Sequence, residues 1–394
     1  MWRKWLAEKS IACKKKPSNE EDRRLLFYNQ SIRLKEDEMQ YRYLDNEATM
    51  RNIDRGGMLQ TTYCLAEQIE EAYSIARGFP PLPSLDFDKV LLCGTGGGSH
   101  AAIDLLQSYI FDRLPYPLSV YQGYGLPSFT DAKTLILIVS YSGNTEEQLS
   151  SLHQAIKISQ NVLLITGGGE MQALAAKFDL YTAKVPAGME ARAAIGFLFF
   201  SLLSVLGRAL KLSLPLKSER SDLLYHLRSE RDLLDASSPT VQNPAKQVAL
   251  KILGRIPFIY GSYGFSDALA ERLRRQLAEN GKTLAHSNRI PNMHHDEIVG
   301  YENMELQNTV LPILLRDFEE DPLIVKRYSV TRETLKGKGF AILELYPLNR
   351  GGKLARLFSL LQLIDFVSLY VALAKEIDPG NVSIIQQFKE RMAR

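Results

Sequence analysis

From residue 89 onward, short apolar runs alternate with amphipathic stretches of helical length. KVLLC (89–93), TLILIVS (134–140), NVLLIT (161–166) and YTAKV (181–185) are brief and mostly apolar. Uninterrupted runs of that length suit strands of a parallel sheet covered on both faces. Between them lie segments such as EEQLSSLHQAIKIS, with Leu149, Leu152 and Ile156 at helical spacing. The alternation predicts a doubly wound α/β layer. A second series follows: IPFIYG (256–261), KTLAHS (282–287), NTVLPILLR (308–316) and FAILELY (340–346), closed by helices over 353–377 and 382–392. The chain therefore reads as two similar α/β halves, 41–213 and 251–394, joined by a charged helical connector at 214–250. The first half has a leading helix with an apolar period through Leu65, Ile69 and Ala72, and PPLPSLDFD (80–88) breaks it before the first strand. Residues 1–40, basic at the start and carrying Trp2 and Trp5, read as a solvated extension.

The junction VSYSGNTEEQ (139–148) sets three hydroxyls, Ser140, Ser142 and Thr145, around a Gly-Asn pair where a strand gives way to a helix. A helix N-terminus offers free N–H groups and the positive end of its dipole, which favour an anion. An ordinary N-cap uses one hydroxyl, so the surplus points to phosphate. CGTGGGSH (93–100) makes a similar strand-to-helix turn, with glycines that let backbone approach a ligand. Its spacing departs from G-x-G-x-x-G, no acidic residue closes the second strand, and no Gly-Lys-Ser/Thr is present. Neither a nicotinamide cofactor nor ATP is expected, and no other cofactor. ITGGGE (165–170) reads as a structural turn.

Bulk properties narrow the class. The 394 residues are 45% hydrophobic and 24% charged with net charge +3, a globular composition of two or three domains that argues against nucleic acid as the main partner. Cys13, Cys64 and Cys93 are odd in number and widely spaced, which suits a reducing cytoplasm. No apolar run of about 18 residues stands out. The longest candidate, 193–210, contains Gly196 and Gly207 and reads as a buried core helix, so no membrane span is expected.

On these motifs the chain resembles the sugar-isomerase (SIS) domain superfamily, and within it the bifunctional phosphoglucose/phosphomannose isomerases. SYSGNTEE (140–147) is similar to the superfamily phosphate loop. VPAGMEARAAIG (185–196), RLRRQLAENGK (272–282), IPNMHHDEIVGY (290–301) and IDPGNVSIIQQFK (377–389) are similar to this family in particular. The likeness covers roughly 45–394. It implies two flavodoxin-like SIS subdomains, each a parallel-sheet αβα sandwich, with helical N-terminal and C-terminal segments. It also implies a homodimer with shared active sites and a hexose 6-phosphate substrate. By motif, Glu279 falls on the catalytic base, His295 on the ring-opening histidine given by the partner chain, Arg192 on the arginine near the reacting carbons and Lys389 on the lysine near the chain end. Ser140, Ser142, Thr145, Gly97 and Ser99 fall on the phosphate-binding loops. Relatives usually read GMGGS where this chain reads GTGGGS, one residue longer, which moves the loop serine from Gly98 to Ser99. HHDE stands in place of the usual NHNE, setting Asp296 beside His295, and Gly380 and Asn381 replace a hydroxyl and a proline.

The implied chemistry is aldose–ketose isomerisation: the ring opens, and a proton then moves between C1 and C2 through a cis-enediolate. Histidine suits ring opening because it titrates near neutrality. A carboxylate suits the carbon acid, and a cation suits the developing charge. No metal is required. The adjacent His294, His295, Asp296 and Glu297 lack the HExxH spacing of a zinc helix. Alternatives are a sugar-phosphate sensor, which needs only the phosphate loop, and an isomerase of amino-sugar phosphates.

Overall fold

A computed structural model describes residues 44–212 and 214–392. The extension 1–40, with Trp2, Trp5 and Cys13, lies outside the described residues. In chain order the elements are α1 (Glu47–Ile53), α2 (Met58–Tyr63), α3 (Leu65–Arg77), β1 (Lys89–Cys93), α4 (Ala101–Ile110), β2 (Leu118–Tyr121), β3 (Thr134–Ser140), α5 (Glu146–Ile158), β4 (Val162–Thr166), α6 (Gly169–Lys177), β5 (Tyr181–Lys184) and α7 (Ile195–Ala209). They continue as α8 (Lys217–Leu234), α9 (Pro244–Ile252), β6 (Ile256–Ser262), α10 (Asp267–Glu279), β7 (His286–Ile290), β8 (Val310–Leu315), α11 (Pro322–Gly337), β9 (Leu343–Leu345), α12 (Lys353–Ala374) and α13 (Ser383–Met392).

Two compact units result, Cys64–Leu224 and residues 44–63 with 225–392. In the first, all strands are parallel in the order β2-β1-β3-β4-β5. Every residue of β3 is buried, because its TLILIVS run has helices on both faces. Leu91, Ile136, Ile138 and Leu164 pack there with Leu152 and Met171. Apolar α7 packs on α3 and α4. Its start is fixed by Gln68, whose Oε1 accepts from Gly196 N at 2.7 Å while its Nε2 donates to Ala193 O at 3.0 Å. The chain reverses its direction of travel across the sheet between β1 and β3. Their carboxyl ends are therefore the switch point, where ligands of such sheets bind.

The second unit repeats this plan with a parallel sheet in the order β7-β6-β8-β9. Counted within each unit, both sheets place the second strand, then the first, third and fourth. Helix α12 is buried along nearly its whole length and packs on α9, α10 and α2. Several polar groups along it are matched. Arg272 and Asp365, both buried, form a two-pronged pair at 2.8 and 2.5 Å. Gln276 Nε2 donates to Asp365 at 2.9 Å, and Asn280 Nδ2 to Ser368 Oγ at 2.9 Å.

Several sequence expectations need correction. The strand expected at 282–287 lies at His286–Ile290, because 280–283 form the turn that ends α10: Thr283 N bonds Leu277 O at 2.9 Å and Lys282 takes a positive φ. The edge strand β2 adds to the expected set. The leading helical segment expected before residue 80 is three helices, and α1 and α2 group with the second unit while α3 leads the first. The connector 214–250 holds α8 and the start of α9, and the boundary between units falls within α8. Finally, α12 rather than 193–210 is the longest apolar helix. By length and composition it would cross a membrane, yet its apolar window is wholly buried in this fold, as a core helix is.

Candidate active site

In the first unit, the ends of β1 and β3 meet. Ser140 closes β3, and its Oγ, turned inward, lies 3.1 Å from Thr145 Oγ1 and accepts from Gly143 N at 3.2 Å. Gly143 has φ +69°, a left-handed conformation that suits glycine. Ser142 is exposed, and its Oγ accepts from Asn144 N at 3.2 Å. Thr145 is the N-cap of α5, but its hydroxyl makes no capping bond; it faces Ser140. The hydroxyls thus shape the turn and leave the first-turn amides of α5 uncapped by Thr145, the arrangement an anion uses.

Two other loops brace this turn. ITGGGE holds it from one side: Gly167 N donates to Tyr141 O at 3.0 Å, Glu170 N to Asn144 Oδ1 at 2.8 Å and Met171 N to Gly143 O at 2.9 Å. A Cβ on Gly169 would stand 2.4 Å from Ser142 O, so this turn is structural, as expected. From the other side comes the glycine loop after β1. Residues Gly96–His100 form one π-helical turn, which takes up the extra residue of GTGGGS. It turns Ser99 inward, where Oγ accepts from Tyr141 N at 3.2 Å. Gly98 packs against the segment bearing Arg192: a Cβ there would lie 2.3 Å from Ala191 O. Arg192 is 2% exposed and donates to Glu190 Oε2 at 3.0 Å, a buried cation rather than a surface one. Ser140 at the end of β3, and Ser99, Ser142, Thr145, Gly97 and Arg192 in the segments that follow the strands, are therefore gathered at one sheet edge.

In the second unit, Glu279 is the last residue of α10 and half-buried. The turn after it is firmly held. Lys282 Nζ donates to Glu279 O at 2.7 Å and reaches Asp378 O and Pro379 O at 3.4 Å, while Lys375 Nζ donates to Gly281 O at 3.1 Å. His294 and His295 diverge. His294 Nε2 donates to Thr331 Oγ1 at 2.7 Å, since that hydroxyl already donates to Arg327 O, and its Nδ1 accepts from Arg327. Burial first, then Arg327 and His295, hold His294 below its ordinary value, so it is a neutral structural residue at pH 7. His295 is exposed. Asp296, beside it, is occupied in capping: its Oδ1 accepts from Glu297 N at 2.5 Å. Among the described residues no three His, Cys, Asp or Glu side chains are grouped to hold a metal ion. Lys389 lies on α13, whose side chains are all exposed.

Residues 241–392 match the family described as bacterial phospho-glucose isomerase C-terminal SIS domain. Over 340 residues the chain is 34% identical to the bifunctional phosphoglucose/phosphomannose isomerase of Caldicellulosiruptor bescii, covering 85% of this chain and 99% of that one. It is 30% identical to the protein of the same name from Aquifex aeolicus, covering 83% and 99%. The chain belongs to the bifunctional phosphoglucose/phosphomannose isomerase family. The fold agrees: a glucose-6-phosphate isomerase like protein from Thermus thermophilus superposes with a TM-score of 0.55 at 20% identity, over 88% of this chain and 98% of that one.

Sequence reading of this isomerase family member missed a cluster behind His295. Glu297 accepts from Tyr260 OH at 2.5 Å, Asn288 Nδ2 at 2.6 Å and His286 Nε2 at 3.0 Å, and Tyr301 OH donates to Tyr260 OH at 2.6 Å. Burial, with Tyr301 and Glu297 next to it, pushes the Tyr260 phenol far up, so it stays a donor. The cluster pins the turn that follows His295 onto β7. Glu297 stands inside HHDEIVG, which was the available signal. Its partners are scattered through the sequence and gave none.

Proposed function

We propose that this protein interconverts glucose 6-phosphate and fructose 6-phosphate through a cis-enediolate, with mannose 6-phosphate a slower second aldose. The observation that carries the reading is the braced hydroxyl turn at 140–145 before a helix start that Thr145 does not cap, in a chain of this family. Phosphate carries about −1.5 to −2 charges at neutral pH, and no lysine stands in that turn. Backbone amides, the hydroxyls of Ser142 and Thr145 and the helix dipole therefore do the holding, with Ser140 and Ser99 keeping the turn in shape.

Glu279 moves the proton between C1 and C2, and His295 opens the ring. Arg192 faces the developing enediolate, and Lys389 assists. Acid–base groups of this kind each contribute about 10²–10⁴-fold. The enzyme works as a homodimer in which His295 comes from the partner chain. The exposure of His295 and of Ile384, Phe388 and Met392 on α13 supports this, because the described residues of one chain leave that apolar face uncovered. Gly380 and Asn381 underlie the preference against mannose 6-phosphate. Buried free thiols at Cys64 and Cys93 suit a reducing cytoplasm. The test is a coupled assay on fructose 6-phosphate, read separately for glucose 6-phosphate and mannose 6-phosphate. Formation of glucose 6-phosphate is expected, and absence of both products contradicts the reading.

A further inference from the structure

The glycine loop and the phosphate turn share a pair of side chains with no role in the chemistry above. Gln148 is the third residue of α5 and only 1% exposed. Its Oε1 accepts from Thr95 Oγ1 at 2.9 Å, while its Nε2 has no hydrogen-bond partner among the described residues. Thr95 stands at the N-cap of the π-helical turn, yet its hydroxyl makes no capping bond and is turned to Gln148 instead. It is half-buried, so it is the accessible member of the pair.

A buried N–H₂ without an acceptor destabilises a fold unless something else answers it. Turning the amide over does not remove the surplus. Nε2 then donates to Thr95 Oγ1, and the threonine O–H is released. In either orientation the pair keeps a hydrogen without an acceptor. A ligand that matches must accept and not donate, and it must suit the start of α5, where the dipole favours negative charge. A phosphoryl group meets both conditions.

We propose that Thr95 and Gln148 form a donor pair for the phosphoryl group of the substrate, with Thr95 in contact and Gln148 the positioning residue that sets its hydroxyl. This rests on the reading of the 140–145 turn as a phosphate site. It adds to the turn a charge-neutral donor from the glycine loop, so that binding draws the two loops together.

The test is calorimetric titration of the full chain with fructose 6-phosphate and with inorganic phosphate, together with steady-state kinetics. Thr95→Val should weaken both ligands on the order of tenfold, the scale of one hydrogen bond to a charged group. The kinetic loss should fall on KM rather than kcat, and Thr95→Ser should restore it. Gln148→Glu removes both amide donors and adds a like charge, so it should lose more than Thr95→Val. Unaltered thermal unfolding of the Thr95 variants separates binding from folding, and those variants decide alone if Gln148→Glu misfolds. Unchanged affinity in Thr95→Val would overturn the proposal, as would a wild-type chain that binds no phosphate ester. Phosphate-dependent binding that Thr95→Val weakens, in a chain without isomerase turnover, would leave this pair standing and remove the isomerase reading instead.

Discussion

The loops that follow the third strand of each sheet occupy the same place in two similar topologies, and their chemistry is opposite. After β3 the chain reads Tyr141-Ser142-Gly143-Asn144-Thr145, uncharged, with a helix start that Thr145 does not cap. After β8 it reads Arg316-Asp317-Phe318-Glu319-Glu320-Asp321. There Arg316 pairs with Glu320 at 2.7 Å and Glu344 at 2.6 Å, and its guanidinium lies 4.2 Å from the Tyr328 ring centroid. Arg356 holds Asp317 at 2.7 Å, and Asp321 caps α11 by accepting from Leu323 N at 2.7 Å. That helix start is capped and ringed by carboxylates, which repel an anion. One architecture thus carries the proposed anion site in one half and a closed ion network in the other. The inventory of donors and acceptors decides, not the fold. Burial of charge is heavier in the second unit, which holds Arg272–Asp365, Arg356–Asp317, Glu230 and Lys246, against Arg192 and Glu67 in the first.

The division of labour is broken most directly by mixing chains. Glu279→Gln and His295→Ala homodimers should each be nearly inactive. A verified mixed dimer should regain activity orders of magnitude above either parent, because one of its two sites then has both groups. No recovery would remove the sharing of residues between chains. Next in size is the buried pair that fixes α10 on α12. Asp365→Ala strands the Arg272 guanidinium and should cost roughly 3–5 kcal/mol, measured by denaturant unfolding. A loss below about 1 kcal/mol would show that the pair is not what holds these helices.

A smaller effect concerns pH. Burial pushes Glu230 up to about 7, only partly offset by donation from Ser359 and Asn349. The folded chain therefore holds a proton that the unfolded chain releases near 4.5. This contribution to stability is complete at acid pH and is lost as pH rises through 7. Glu230→Gln should gain on wild type between pH 5 and 8, by about 3 kcal/mol at most. A pH-independent difference would refute the buried-acid account. Smallest is a contrast in protection. Inorganic phosphate at about 100 times its Kd should slow amide exchange around 142–149 by up to about a hundredfold, and leave 317–323 unaffected. Equal protection of both loops would erase the comparison.

Much of this was legible because buried parallel strands announce themselves. TLILIVS spans β3 end to end, and KVLLC spans β1. The edge strands β2 and β7 do not. LSVY in β2 is only half-buried and HSNRI in β7 is polar, so neither shows an apolar run. The strand-to-helix turn at 140–145 was legible from its hydroxyls. The inward turn of Ser140 and the brace from 167–171 were not, because they depend on loops that meet only in the folded sheet. Gln148 read as an ordinary helix residue, since nothing local reveals that Thr95, 53 positions away, would take its carbonyl. Arg272 and Asp365, 93 positions apart, pose the same problem.

The central proposal is that the turn at 140–145 holds the phosphate while Glu279 moves the proton. Its most direct test is kcat and KM for fructose 6-phosphate in Ser142→Ala and Glu279→Gln, side by side. Ser142→Ala should raise KM several-fold and retain kcat. Glu279→Gln should lower kcat by about 10²–10⁴-fold with KM little changed, as expected of a group that acts in the transition state. Near-wild-type turnover in Glu279→Gln, or a Ser142→Ala loss confined to kcat, would contradict it.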